Sequence, residues 1–465
     1  MKRLFTIVTC LLILAEIAGC ASYEGLSTTI QPKSAPIAAG WRLNTDWWLI
    51  FADPQLNQLI DEALLNSPTV AKAASRIQWV SRQATLEAAQ LNAIYAIDGA
   101  ATRQEFSALG YFPPPIGGNV FNLGQLQADF SWDIDWWGKH RAVYQQTVGE
   151  LTAAHDDSQQ ARLILSISVA DAYFALQADQ ARSDLIQKMA DKRRTLLQLQ
   201  RDRATAGLAS DLPLRPLQGN IALLEREAAD VNGQSHLDRA AIGALLGQAP
   251  QRGEQVKVGE ATQVPQLPSN LPADLIGLRP DVNAQRANIQ VAAAHNALAK
   301  IAFYPDINLS GFVGLQSIGF DNVFKSGSEM FSVGPAVHLP IFDSQSLRTT
   351  LGARYAEYDM AVEDYNQTVI DAMRQTASAS INLIALARQS QAQQRLQDSL
   401  QQSTRLAEQR YQHGLDNDLP VIEAELAQLA AQQSYIQLHQ RRLASTLAMI
   451  RALGGLPTRS TVVSP

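Results

Sequence analysis

One cysteine has its chemistry set by its neighbours. Cys20 follows Ile17-Ala18-Gly19, after a basic Lys2-Arg3 and an apolar run from Leu4 to Leu14. A basic start, a short apolar stretch and small residues before a cut describe a secretory leader, and the run is too short to span a membrane as a helix. A cysteine directly after those small residues is a lipobox. Its thiol takes a diacylglycerol as a thioether, and it becomes the first residue of the mature chain. Residue 21 is alanine rather than aspartate, which fits sorting onward to the outer membrane. Cys10, the only other cysteine, falls in the discarded leader, so the mature chain can form no internal disulfide.

Other reactive constellations are missing. The histidines at 140, 155, 236, 295, 338, 413 and 439 form neither an HExxH nor a paired-ligand spacing. Gly314 and Gly319 bracket Ser317 at the wrong spacing for a GxSxG nucleophile elbow. Asp133 and Asp135 would share one face of a strand, which suits a wet wall better than a hydrolase dyad. The sequence therefore predicts no enzyme, no metal and no cofactor. Formal charge is −6, and the leader's Lys2, Arg3 and Glu16 carry +1 of it, so the mature chain sits near −7. That balance gives no electrostatic case for nucleic acid. A lipid-anchored enzyme would need a cleft with converging polar groups, which nothing here supplies.

The elements that carry these residues are unusual in length. No proline lies between Pro115 and Pro213, and between Gly138 and Ala206 the only glycine is Gly149. Ser344 to His413 likewise has no proline and the single glycine Gly352. Both stretches are rich in Ala, Leu, Gln, Arg and Glu, strong helix formers. As continuous helices each would reach roughly 100 Å at 1.5 Å per residue. The halves also repeat. Arg203, Gly207, Leu208, Asp211, Leu212 and Pro213 match Arg410, Gly414, Leu415, Asp418, Leu419 and Pro420; Pro68, Val70 and Ile77 match Pro280, Val282 and Ile289. Each half is thus expected to end in a helical hairpin that turns at Gly207 or Gly414. Asp211 and Asp418 are the expected N-caps of the returning helices, with the prolines in the first turn. The expected division is a leader over 1–19, a first repeat over 20–247, a linker or equatorial segment over 248–273, and a second repeat over 274–465.

Ahead of each long helix lies alternating sequence. Leu126, Ala128, Phe130, Trp132, Ile134 and Trp136 fall on one side; Gln125, Gln127, Asp129, Ser131, Asp133 and Asp135 fall on the other. Phe331, Val333, Val337, Leu339 and Ile341 alternate with Ser332, Gly334, Ala336 and His338, and Ile307 to Leu315 alternates before them. A weaker candidate runs through 96–108. Apolar-out, polar-in strands of about ten residues mark an outer-membrane barrel, and Trp132 and Trp136 would suit its interfacial girdle. Four strands cannot close a barrel, and open edges are forbidden in lipid. Several copies must therefore share one barrel. The same strands argue against a purely periplasmic coiled coil.

Three stretches resemble the outer-membrane efflux factor family, the TolC-like proteins, in its NodT-type lipoprotein branch. They are Trp47-Trp48 through Asn66-Ser67-Pro68, Leu278-Arg279-Pro280-Asp281-Val282, and Arg410-Tyr411 with Gly414, Leu419 and Glu423-Ala424. The resemblance covers nearly the whole mature chain. It implies an α+β fold of tandem helical and β-hairpins, assembled as a homotrimer. Three chains would build a twelve-stranded barrel in the outer membrane, continued by an α-helical barrel across the periplasm. The implied function is the passive exit duct of a tripartite efflux pump for drugs or other small molecules. An inner-membrane transporter of the resistance-nodulation-division type and a periplasmic adaptor would complete the pump. A duct for type I protein secretion is the alternative. Cys20 would anchor the chain in outer-membrane lipid; Gly207, Leu208, Gly414 and Leu415 would dock the adaptor; Leu419 and Glu423 would form the periplasmic gate. The chain departs from the family pattern at Ala96, where proline is frequent, at Glu423, where aspartate is common, and at Pro216, the first-repeat counterpart of Glu423.

Overall fold

The computed structural model describes residues 23–28, 30–33, 40–259, 261–266, 273–340 and 343–459. Cys20 and the leader lie outside them. The chain divides into two compact units. Four of its helices contribute residues to both.

The first unit, assembled from 1–32, 76–154 and 284–365, holds a four-stranded antiparallel sheet ordered β2-β3-β4-β5. Its strands are β2 (Ile94–Glu105), β3 (Val120–Asp133), β4 (Asp306–Ile318) and β5 (Glu329–His338). Residues paired across an antiparallel ladder point to the same face, so the register fixes two surfaces. Ile97, Ala128, Val313 and Phe331 form one lateral row, and Tyr95, Phe130, Gly311 and Val333 form the next. These rows are the exposed ones: Ile97 is 79% and Phe331 82% accessible. The opposite face carries Gln125, Gln127, Asp129 and Ser131. Gln125 donates to Gln127, whose amide donates to both Asp129 oxygens at 2.9 Å. A soluble sheet shows the reverse arrangement, with apolar side chains covered and polar ones wet.

The strand expectations need two adjustments. β3 ends at Asp133 rather than running to Trp136: Ile134 N–H still donates to Ile307 O at 3.1 Å, but Asp135 then turns to cap the following helix, accepting from the His140 and Arg141 N–H groups. β5 ends at His338, before Pro340, which has no N–H for a ladder. Ile341 lies outside the described residues. Pro335 is tolerated inside β5 because β5 is an edge strand.

The second unit, from 33–75, 155–283 and 366–465, is built on helices. They are α1 (Pro54–Asn66), α2 (Pro68–Ala89), α3 (Lys139–Thr205), α4 (Leu214–Leu245), α5 (Pro280–Ile301), α6 (Ser344–Gln412) and α7 (Leu419–Leu453). α2, α3, α5 and α6 are the four shared with the first unit. The two long helices are unbroken, at 67 and 69 residues. The most apolar window of α3 is 61% buried, as a core helix requires. Asp53 caps α1, accepting from Gln55 N–H at 3.0 Å and Leu56 N–H at 3.1 Å, with Pro54 in the first turn. This places Leu56, Leu59, Ile60 and Ala63 in the main core with Trp47, Trp48, Phe51, Tyr173, Phe174, Leu443 and Ile450. Each large side chain buried there contributes roughly 1.5–3 kcal/mol. A two-stranded sheet joins β1 (Trp41–Asn44) to β6 (Leu456–Arg459).

Candidate functional site

The two hairpin tips are built alike, bond for bond. In the first, Leu208 N–H donates to Arg203 O at 2.8 Å and Gly207 N–H to Ala204 O at 3.0 Å. In the second, Leu415 N–H donates to Arg410 O at 2.9 Å and Gly414 N–H to Tyr411 O at 2.9 Å. These are the paired 6→1 and 5→2 bonds of a Schellman cap. Both glycines have φ +71°, where a Cβ is strained. The turn thrusts its next residue outward, leaving Leu208 72% and Leu415 66% exposed. Two large apolar side chains therefore stand in solvent at the ends of the hairpins.

The capping expectation is corrected at both tips. α4 starts at Leu214, so Asp211 lies ahead of the cap position, which Pro213 occupies without a side-chain bond. Asp418 does hold the cap position of α7, but its φ −76° and ψ −11° are helical, and its side chain accepts nothing from the helix. A capping side chain needs an extended residue beneath it. Asn417 accepts from Leu419 N–H, the first of α7, at 3.1 Å, and Ser210 accepts from Leu212 N–H in the turn ahead of α4 at 3.1 Å.

Past the turns the tips diverge. Leu419 packs with Leu196, Leu217, Ile422 and Leu426 in one apolar cluster. Its counterpart Leu212 is 82% exposed. Glu423, one turn beyond Leu419, is exposed. Arg410 closes the second tip through a 2.6 Å ion pair with Asp416; the matching position in the first tip is Ala209. Further along, Lys192 on α3 pairs with Glu425 on α7 at 2.6 Å, and Gln433 on α7 donates to Glu227 on α4. The hairpins are thereby tied to each other.

Two polar networks escaped the sequence reading. Arg279, from the Leu278-Arg279-Pro280-Asp281 stretch, is buried. It forms a bidentate pair with Asp281 at 2.6 and 3.0 Å and donates to Ala452 O at 2.6 Å and Gln375 Oε1 at 3.1 Å. It fastens the start of α5 to the last turn of α7. In the second network the Thr262 hydroxyl donates to Asp53 Oδ2 at 2.7 Å and its N–H to Gln177 Oε1 at 3.3 Å, while its carbonyl accepts from His439 Nε2 at 2.9 Å. Burial lowers the His439 pKa and keeps the ring neutral. Burial, then the Asp53 carboxylate, pushes the Tyr173 hydroxyl up to about 12. Burial and neighbouring Asp238 also raise Asp179 to about 6, against the pull of Arg182. No alternation or spacing could have shown the links from Arg279 to Gln375 and Ala452 or from Thr262 to Asp53, Gln177 and His439, whose partners lie far along the chain.

The family model for outer membrane efflux proteins matches this chain twice, over residues 59–248 and 271–455. The chain belongs to the outer membrane efflux protein family. Multidrug resistance outer membrane protein MdtP of Shigella flexneri is 29% identical over 458 residues, covering 94% of each chain. The outer membrane protein VceC of Vibrio cholerae superposes with a TM-score of 0.79 at 31% identity, over 89% of this chain and 99% of that one. The MtrE outer membrane channel of Neisseria gonorrhoeae, solved in its open state, shares the fold with a TM-score of 0.77 at 23% identity, over 93% and 96%. The protein is thus an outer membrane efflux channel. Its α+β fold matches the sequence expectation.

Proposed function

We propose that this efflux channel works as a homotrimer and is the exit duct of a tripartite pump. It would receive drugs or similar small molecules from an inner-membrane transporter of the resistance-nodulation-division type through a periplasmic adaptor. The observation that carries the trimer is the sheet. Its apolar face is exposed and β2 and β5 each present an unpaired edge, which lipid does not tolerate. Joining β5 of one protomer to β2 of the next removes every edge, and three copies give twelve strands. The multidrug name of MdtP supports the cargo class. Cys20 carries the lipid anchor. A single lipid binds a membrane only marginally, so the barrel rather than the anchor holds the assembled channel. Palmitate labelling that persists at the wild-type level in Cys20→Ser would overturn the anchor.

Leu208 and Leu415 form the adaptor-docking surface with Gly207 and Gly414. Leu208→Asp with Leu415→Asp should abolish most drug export while trimers still assemble; normal export in that double variant would move the docking surface elsewhere. Leu419 and Glu423 form the gate. Three Glu423 carboxylates around a threefold axis make an acidic ring, which attracts cations and binds multivalent metals. In planar bilayers, Glu423→Gln should lower cation selectivity and remove block by trivalent cations added from the periplasmic side. Unchanged selectivity and block would place the gate elsewhere on the hairpin.

A further inference from the structure

The first unit holds a cavity of about 370 Å³ at the ends of β3 and β4, walled by Trp136, Trp137, Ile301, Ala302, Tyr304 and Pro305. Its wall is rigid. The Trp137 ring stacks on Tyr304 with centroids 4.7 Å apart and planes 21° apart, and its indole N–H donates to Pro305 O at 2.8 Å. Trp136 stands exposed beside it. The polar side is a closed ion pair: Lys139 lies 2.9 Å from Asp306 and 3.5 Å from Asp133. Tryptophan and tyrosine flanked by paired charges, at the end of a lipid-facing sheet, compose the surface of a membrane–water boundary. Here that surface is concave, and Asp135 and His338 line it together with the aromatic and aliphatic residues.

The chain's own N-terminal segment arrives at this wall. The Tyr23 hydroxyl is 3.2 Å from that of Tyr304, and its ring meets Phe303 edge-on at 5.5 Å. Leu26 packs with Ala299, Phe303, Leu351 and Tyr355, and Ile30 N–H donates to Asp359 at 3.3 Å. The segment is therefore pinned against Tyr304, a residue of the cavity wall. Cys20 is three residues upstream of Tyr23, and three extended residues span at most about 10 Å. Any acyl chain carried by Cys20 therefore starts within about 10 Å of the Tyr23 backbone, whose side chain reaches Tyr304 of the cavity wall.

We propose that one acyl chain of the Cys20 lipid lies in this cavity, so that the anchor docks on its own protein instead of dispersing in the leaflet. The inference rests on the reading that Cys20 is acylated. Methylene groups match the aromatic and aliphatic walls, and the glyceryl esters fall beside the Lys139–Asp306 rim and the exposed Trp136 indole. Only this chain's lipid is tethered at that spot, which sets it above a free phospholipid as occupant.

The test uses cells fed a palmitate analogue that carries a diazirine within the chain and a terminal alkyne. The intact channel is purified, irradiated, digested and read by mass spectrometry. The peptide carrying Cys20 should bear the label before irradiation. After irradiation it should be joined to the peptides holding Trp136–Trp137 or Ala302–Pro305. Ala302→Phe fills the cavity, and should cut that cross-link several-fold while labelling of Cys20 and membrane insertion persist. Label on Cys20 with cross-links scattered over the strands, or undiminished by Ala302→Phe, would overturn the docking and leave acylation standing. Cavity cross-links made by labelled phospholipid rather than by Cys20 would give the cavity to a leaflet lipid, also overturning it. An unlabelled Cys20 would sink the anchor and the docking together.

Discussion

The first and second hairpins share a turn and differ in almost everything after it. Both tips close with the same pair of bonds around a glycine at φ +71°. Leu419 opens α7 and its counterpart Leu212 stands two residues ahead of α4; one is held in an apolar cluster and the other is 82% exposed. Asp179 and Asp238 put two carboxylates into the first hairpin, where the second has Leu386 and Ser445. A duplicated sequence has kept the geometry of the bend, which one residue type can fix. It has not kept the seams, which depend on what lies opposite. The first return helix begins on Pro213 and runs through Pro216; the second is anchored by Ile422 and Leu426.

Cutting that anchor gives the largest expected difference. Leu426→Ala removes a buried side chain and should cost about 2–4 kcal/mol, whereas Gly219→Ala at the matching, open helical place in the first hairpin should stabilise by about 0.5–1 kcal/mol. Hydrogen exchange along α7 and α4 measures both; equal effects would erase the asymmetry.

The buried acids sharpen the comparison through pH. Asp179 holds its proton more tightly folded than unfolded, with its pKa raised from 3.8 to about 6. Its contribution is therefore fully present below the unfolded pKa and is lost as pH rises through about 6. Asp179→Asn should stabilise the channel by about 2–3 kcal/mol at pH 8 and by nothing at pH 4. Thermal unfolding across that range checks it, and a pH-independent gain would show that burial of the charge is not the cause.

Smaller effects follow at the turns. Gly207→Ala and Gly414→Ala should each cost about 1 kcal/mol, because the left-handed conformation penalises any Cβ; a difference between the two would mean the tips are not equivalent even locally. Least of all, Asp416→Ala removes an ion pair whose partners are well exposed. Its loss should change stability by under about 1 kcal/mol, and a larger change in guanidinium unfolding would show that the pair carries more of the second tip than its exposure implies.

Periodicity made much of this fold legible. Absence of proline announced α3 and α6 almost to the residue, and strict alternation announced β3 with its faces correctly assigned. Repetition of Arg, Gly and Leu marked both tips. What failed was local chemistry with several candidates in reach: Asp211 and Asp418 looked like caps, but Asp211 lies ahead of α4, Asp418 has a helical backbone, and Asn417 meets the first N–H of α7 instead. What stayed invisible was anything joining distant segments, such as Thr262 between Asp53, Gln177 and His439, or Arg279 holding the end of α7. Arg279 was legible as part of a motif, while its partners Gln375 and Ala452 lie far along the chain. Cys20 was the clearest chemical signal, and it lies outside the described residues.

The pairing of β1 with β6 sets a timetable for folding. Trp41 lies opposite Arg459, whose guanidinium sits over the indole at 5.5 Å. A chain exported from its N-terminus delivers β1 early and its partner almost last. Throughout the delivery of everything between, that strand edge has nothing to pair with and must be kept from pairing wrongly. Contacts of such sequence separation are slow to form and leave intermediates prone to aggregation. The last residues of α7 and β6 thus act as the closing stitch: until they emerge, the second unit cannot be completed. A translocation arrest near the C-terminus would leave a chain nearly whole in length yet open along one seam.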